Sequence, residues 1–251
     1  MKSLQMIATF WILILNMAFA QVNTEAMRID DQIPGFHHQL SLSFSYISGN
    51  YKFMMLYADY RLDYHSESKW HGFFVMNYDR AFEKSQDDFS NRGFGHLRAV
   101  NHWKPKVHFE SFIQKEFDYF IDLENRELIG GGFRFNPFNK FFVGIGAMNE
   151  VETYQYTSEE HVNLKSTNYV NYSTELNESI SIQNVIYYQF KSNNIAHYRI
   201  LWDSKFTLQG TGEKFDWISF HVNLKYRYDM SELNPKGDSY FEISNGLGFS
   251  F

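Results

Sequence analysis

The last twelve residues of the chain, 240–251, form an amphipathic pattern that ends on an aromatic residue. Five large apolar side chains fall on alternate positions, and the residues between them are polar or glycine. Terminal residues of soluble domains usually fray. The last strand of a bacterial outer-membrane barrel instead closes the barrel and places aromatic side chains at the membrane interface. The pattern predicts a barrel-assembly signal made of Phe241, Ile243, Leu247, Phe249 and Phe251.

The chain from residue 38 onward repeats this alternation. Each segment is long enough to cross a bilayer as a tilted strand of about 9–11 residues. The segments number about twelve, an even number, as closed bacterial barrels require. The predicted fold is all-β: a single transmembrane antiparallel β-barrel of about twelve strands, of outer-membrane type, over residues 38–251. With both termini in the periplasm, longer links are expected on the outer side, near 83–91, 153–166 and 229–238. Short turns are expected on the periplasmic side, near 65–69, 103–106, 136–140 and 177–178.

A soluble secreted β-sandwich would alternate in the same way. Strand length, the aromatic terminus, and Tyr and Trp at the ends of the apolar faces favour the barrel. Aromatic residues make up 19% of the chain, which suits pleated surfaces and membrane interfaces. A mean hydropathy of −0.42 is compatible with a barrel, because half of each strand faces water.

The N-terminus has the pattern of an export signal. Residues 1–20 combine a basic Lys2, an apolar stretch and a small-x-small site, so cleavage is expected after Ala20. Residues 21–37 are then expected to form a short periplasmic lead, and the predicted location is the outer membrane. The chain contains no cysteine, which rules out a lipid anchor on cysteine, disulfides and thiol chemistry.

Charge limits the partners. Removal of the predicted signal peptide, which contains Lys2, leaves 22 basic and 29 acidic residues. The resulting formal charge of −7 argues against nucleic acid as a partner. The expected partners are outer-membrane lipid and lipopolysaccharide, together with the barrel-assembly machinery through the last strand. The oligomeric state stays open.

Three segments in the middle of the chain, 91–98, 108–117 and 124–135, resemble the DUF481 family. The resemblance is best over residues 90–150 and closest to the form found in Bacteroidetes-type bacteria. It implies an outer-membrane barrel of the type sometimes labelled salt-induced. It implies no catalytic residue, because the family offers none to carry over.

Charged residues on the inward faces of the predicted strands should meet in the lumen. Arg126 and Arg134 flank Gly130 and Gly132 on one such face, where glycine leaves room for long side chains. One interpretation is an anion-selective constriction, and the other is a structural ion-pair network, which the abundance of acidic partners favours. The predicted lumen network consists of Arg126, Arg134, Arg199, Arg227, Lys205, Lys225, Glu110, Glu116, Glu175, Asp203 and Glu242.

We predict no catalytic residue, no cofactor and no metal. His37-His38 beside Asp30-Asp31 lacks the three or four converging ligands of a metal site. Ser244-Asn245-Gly246 matches three residues of the outer-membrane phospholipase motif, but no histidine follows His221 and Ser244 should point inward.

The expected function is an envelope-structural barrel or a narrow pore for small solutes. One alternative is a membrane-embedded enzyme acting on lipid or lipopolysaccharide, with His197 and His221 as the histidines to test. Another is a binding or adhesion barrel that uses its outer loops. The longest predicted loop contains Tyr154, Tyr156, Glu159, Glu160 and His161.

Overall fold

The computed structural model describes residues 23–25, 28, 34–48, 52–83, 88–119, 122–155, 157–212, 217–230 and 238–249. The predicted signal peptide, its cleavage site and Phe251 lie outside these residues. Within these ranges, no helix is long and apolar enough to cross a membrane.

The chain folds into one antiparallel sheet of twelve strands, and each strand pairs with the next along the chain. This confirms the predicted fold class and strand number. The strands are β1 Gly35–Ser48, β2 Lys52–His65, β3 Trp70–Glu83, β4 Asp88–Lys104, β5 Val107–Asp118, β6 Leu123–Phe138, β7 Phe141–Tyr154, β8 Thr157–Asn177, β9 Ile180–Lys191, β10 Asn194–Gln209, β11 Ile218–Asp229 and β12 Asp238–Phe249.

The loop predicted near 153–166 was wrong. Strand β8 already begins at Thr157 and pairs with β7 up to the tip of the hairpin. Val162 and Leu164 are exposed on one face, and they alternate with Asn163 and Lys165 on the other. The alternation therefore continues through a stretch whose polarity had suggested a loop.

The expected arrangement of long outer links and short inner turns also fails in part. The link between β7 and β8 is reduced to residues 155–156, whereas the link between β10 and β11 runs from 210 to 217. That longer link lies at the end where the short turns were expected. Link length thus does not by itself orient this barrel.

The buried residues show that the sheet encloses a polar interior. Among the described residues, nine hydrophobic side chains are buried, against twenty-one polar or charged ones. A soluble β-sandwich buries apolar side chains between two sheets, whereas this single sheet has charged groups inside. The fold is an antiparallel β-barrel of outer-membrane type, and the sandwich alternative is excluded.

The opposite face of the sheet is apolar and exposed. Leu97, Ile113 and Ile129 lie side by side in register across three strands, with exposed fractions of 46%, 52% and 61%. Such a row suits contact with hydrocarbon. Glu127, which interrupts the alternation of β6, lies beside Lys115 and accepts a hydrogen bond from its Nζ at 2.7 Å.

The two edges of the sheet are the first and last strands. No ladder joins β1 to β12 within the ranges given above. Twelve strands in a simple meander make these two edges antiparallel, so pairing between them is the step that closes the barrel. Unpaired backbone groups are not tolerated in hydrocarbon, and the barrel seam therefore lies between β1 and β12.

Glycine makes space on the inward face of β7. Gly144 lies opposite Tyr169 in register, and a Cβ atom at position 144 would overlap the tyrosine ring. The replacement Gly144→Ala should lower the free energy of unfolding by about 1–3 kcal/mol, because Tyr169 would be pushed out of its place. Urea unfolding in detergent, followed by tryptophan fluorescence, measures this.

Gly246 is the matched control, since a Cβ atom there meets nothing within 4 Å. We expect Gly246→Ala to change stability by about 0.5 kcal/mol or less. Equal losses in the two variants would contradict a specific packing role for Gly144.

Candidate functional site: the charged lumen

The interior of the barrel contains two groups of charged side chains, one above the other. We call the end of the barrel where β1 begins the lower end. The upper network comprises Glu116, Arg126, Glu150, Glu152, Lys165, Arg199, Arg227 and Asp229. The lower cluster comprises Glu25, Arg28, Arg98, Glu110 and Arg134.

Arg126 joins three neighbouring strands in the upper network. Its Nε donates to Glu152 Oε1 at 2.6 Å, and a terminal nitrogen donates to Glu116 on β5. Glu150 Oε2 lies 3.8 Å from the Arg126 Nε. The Arg126 side chain is only 1% exposed, so its charge is stabilised by these carboxylates rather than by water.

Arg199 connects strands that are not neighbours in the sheet. From β10 it donates to Glu150 and Glu152 on β7, each at 2.7 Å, and to Asp229 at the end of β11 at 2.6 Å. Lys165 on β8 adds a further hydrogen bond to Glu150. These ion pairs occupy the part of the lumen between β7 and β11.

The upper network is balanced in charge. It contains four basic and four acidic side chains, and its members reach from β5 to β11. A balanced set gives no field that would select anions, which supports the structural interpretation for this level of the lumen.

The free space around the upper network is small. A cavity of about 60 Å³ lies beneath it, beside Arg126, Glu150 and Arg199, and a second of about 30 Å³ lies beside Tyr154 and Asp229. Since one water needs roughly 10–15 Å³ of such volume, these spaces hold a few water molecules at most.

The lower cluster contains residues from the N-terminal lead. Residues 21–37 were expected in the periplasm, but Thr24 and Glu25 are 4% and 1% exposed inside the barrel. Arg98 and Arg28 lie 2.6 and 3.1 Å from Glu25 Oε1, and Arg134 lies 3.4 Å from Oε2. Burial alone would raise the pKa of the Glu25 carboxyl, but the three guanidinium groups outweigh it and hold this pKa well below its usual range.

The other predicted network residues lie around these two groups. Glu175 forms an exposed ion pair with Lys140 of the β6–β7 turn, and Lys205 is exposed on the inward side of β10 near the same end. Three residues are adjacent in register on one face of β10, β11 and β12: Asp203, Lys225 and Glu242. Asp203 is buried, and the other two are half-buried.

The predicted assembly signal lies on the outward face of β12 where its side chains are described. Phe241, Ile243 and Leu247 are 49%, 61% and 60% exposed. Phe249 is the last residue of β12, and Phe251 lies outside the described residues.

Sequence reasoning missed Arg98, Glu150, Glu152, Lys165 and Asp229. The alternation of β7 contains a usable signal, since Glu150 and Glu152 follow Gly144, Gly146 and Met148 on one face. Glu25 and Arg28 have no such signal, because they lie before the first strand.

One group in the described part of the chain has the composition of a metal site. The ligand atoms of Asp63, His65 and His71 lie within 4.8 Å of one another. Arg61, however, donates to both oxygens of Asp63, at 2.5 and 2.6 Å. A cation would have to displace this guanidinium group, so the geometry favours an ion pair over a metal centre.

His37, which was considered from the sequence as a metal ligand, does not belong to the group of Asp63, His65 and His71. The ring of His37 lies 6.2 Å from that of His65, and residues 30–31 lie outside the described ranges.

His221, one of the two histidines considered for catalysis, lies beside two hydroxyl groups. His221 Nε2 lies 2.9 Å from the Ser219 hydroxyl, and its Nδ1 lies 3.1 Å from the Thr207 hydroxyl. Both ring nitrogens therefore face hydroxyls, and no carboxylate of the described residues orients the imidazole as in a serine hydrolase. Ser244 shares the inward face with Glu242, where a nucleophile cannot reach membrane lipid.

The buried and exposed ion pairs should differ in their contribution to stability. Replacing Arg126 with Met leaves the Glu116 carboxylate buried without its arginine and removes one of the two arginines that pair with Glu152. It should lower the free energy of unfolding by about 3–5 kcal/mol. Equilibrium unfolding in urea, with the protein in detergent, measures the loss.

Lys115→Met is the matched control, because the Lys115 and Glu127 side chains are 71% and 52% exposed. Its effect should be about 1 kcal/mol or less. A small effect at Arg126 would show that the upper network does not stabilise the barrel.

Comparison with known proteins gives two similar structures. No family model matches the chain, and no curated protein matches it. A KdgM porin in complex with disordered oligogalacturonate is 9% identical, with a TM-score of 0.41, over 84% of this chain and 98% of that one. The beta domain of the Bordetella autotransporter BrkA is 12% identical, with a TM-score of 0.34, over 86% and 98%. The resemblance to the DUF481 family stays a prediction.

Proposed function

We propose that this chain is a non-enzymatic outer-membrane barrel that supports the envelope and passes, at most, small solutes through a narrow lumen. The observation on which this depends is the upper network, whose buried ion pairs occupy the lumen between β7 and β10. A barrel of twelve strands lies between the side-chain-filled interior of about eight strands and the aqueous channel of about sixteen.

The membrane location rests on the two faces of the sheet. The outward face presents exposed Leu97, Ile113, Ile129 and Ile145, while the interior is charged. The predicted export signal agrees with this distribution. The partners would be outer-membrane lipid and lipopolysaccharide on the apolar face, and the assembly machinery on β12.

Membrane-barrel behaviour can be tested first on a gel. Residues 21–251 folded into detergent should migrate faster when unboiled than when boiled, because a folded barrel stays compact in the gel. A single unshifted band from protein that is soluble without detergent would contradict the membrane location.

The pore version is tested by conductance in planar bilayers. We expect the wild-type chain to give small current steps, since the cavities near the upper network measure about 60 and 30 Å³. A Glu150→Ala, Arg199→Ala double variant removes one charge of each sign and should give larger steps, because it widens the lumen between β7 and β10.

The matched control is the Lys115→Ala, Glu127→Ala double variant, which removes an outward-facing pair and should leave the steps unchanged. No current in any variant would exclude the pore and leave the structural role. Large wild-type steps would show that the upper network is not a constriction.

A further inference from the structure

Glu25 is held in the lumen as a bound carboxylate would be. Arg98 on β4 lies 2.6 Å from one of its oxygens, and Arg134 on β6 lies 3.4 Å from the other. The Glu25 side chain is 0% exposed, and the two arginines are 5% and 2% exposed. The barrel wall therefore supplies a pair of buried guanidinium groups, and the carboxylate comes from outside the strands.

Aromatic rings help to hold the two arginines in place. The guanidinium carbon of Arg98 lies 5.7 Å from the centre of the Phe73 ring and 5.6 Å from that of Phe112. The guanidinium carbon of Arg134 lies 3.7 Å from the centre of the Phe142 ring. Such contacts orient a guanidinium group without neutralising it. The arginine pair is thus preorganised for an anion by the barrel itself.

The N-terminal segment is placed by side-chain contacts and not by a strand ladder. The backbone N–H of Glu25 donates to the Tyr187 hydroxyl at 3.0 Å. Arg98 also donates to the Thr24 hydroxyl at 2.6 Å. Residues 23–25 belong to none of the twelve strands. These contacts and the ion pairs of the Glu25 carboxylate together place residues 23–25 in the lumen.

The barrel part of the lower cluster has an excess of positive charge. Among the described barrel residues, the lower cluster contains Arg98, Arg134 and one carboxylate, that of Glu110, and the N-terminal residues add both Glu25 and Arg28. Glu110 is already engaged by the Tyr169 hydroxyl at 3.2 Å and by Arg98 at 3.3 Å. Buried charge needs a counter-charge, so this site favours an anion.

Glu25 does not satisfy the site completely. Its Oε2 atom is buried and accepts no hydrogen bond from the described residues. The cavity of about 60 Å³ adjoins the site, with Thr24, Tyr169 and Tyr187 in its lining. A carboxylate that is not tethered to the chain could move closer to Arg134, and a small attached group would fit the cavity.

We propose that Arg98 and Arg134 form a lumenal binding site for small solutes that carry a carboxylate, and that Glu25 occupies this site as an internal ligand. This deepens the proposed function and rests on it, since the solute reaches the site through the lumen. A carboxylated solute competes with Glu25, which occupies the site when no solute is bound.

The test uses residues 21–251 folded in detergent, with the carboxylate of Glu25 removed by Glu25→Ala. This variant should unfold at a lower temperature than wild type. Potassium acetate should raise its midpoint by about 2–4 °C or more, because acetate fills the vacated position between the arginines. Potassium chloride at equal ionic strength and neutral acetamide should not do so. Wild type should respond less, because Glu25 competes with acetate.

Two further variants define the site. Glu127→Ala removes a carboxylate from the outer face and should respond to acetate as wild type does. Adding Arg98→Gln to Glu25→Ala should abolish the effect. Equal acetate shifts in wild type, Glu25→Ala and Glu127→Ala would overturn the proposal, as would rescue that persists without Arg98. A Glu25→Ala chain that folds neither with nor without acetate would also overturn it.

The experiments distinguish failure of the proposed carboxylate site from failure of the proposed pore. The acetate measurement involves no flux across a membrane. Acetate rescue in a chain that conducts no current would retain the site and exclude the pore. Conductance without acetate rescue would retain the pore and exclude the site.

Discussion

Ion pairs across the lumen decide how the sheet curls. The ladders join each strand only to its neighbours in sequence. Arg199 instead connects β10 to β7 through Glu150 and Glu152, and the Tyr169 hydroxyl connects β8 to Glu110 on β5. A flatter sheet would separate these partners and leave buried charges unpaired, which is strongly unfavourable. The ion pairs thus stabilise the enclosed shape in addition to the backbone ladders.

Small residues make that curvature compatible with long side chains. Gly144 lies beneath the ring of Tyr169, so the tyrosine can lie flat against β7 and still reach Glu110 with its hydroxyl. A larger residue at 144 would lift the ring and lengthen that hydrogen bond. The glycines predicted to leave room in the lumen, at 130 and 132, lie on the neighbouring strand β6, on the same face as Arg126 and Arg134.

The strands could be predicted because alternation is a local property of the sequence. Alternation specifies the face on which a residue lies, but not its depth along the barrel axis. Glu175 and Lys205 were therefore assigned to the inward face, yet they lie exposed near the lower end, while Glu150 and Glu152 lie at the centre of the network. Glu25 could not be predicted at all, because contacts with distant strands place it and no periodic pattern includes it.

The two levels of the lumen differ in what they can do. The upper network has equal numbers of basic and acidic groups, and each lies within reach of a partner. A charged solute would therefore find no unbalanced charge to bind there. Among the described residues, the barrel part of the lower cluster has two guanidinium groups for one carboxylate, and the N-terminal residues add the Glu25 carboxylate together with the Arg28 guanidinium group. If the lumen conducts, Arg98 and Arg134 therefore determine its selectivity for anions. The upper network determines only the width of the passage.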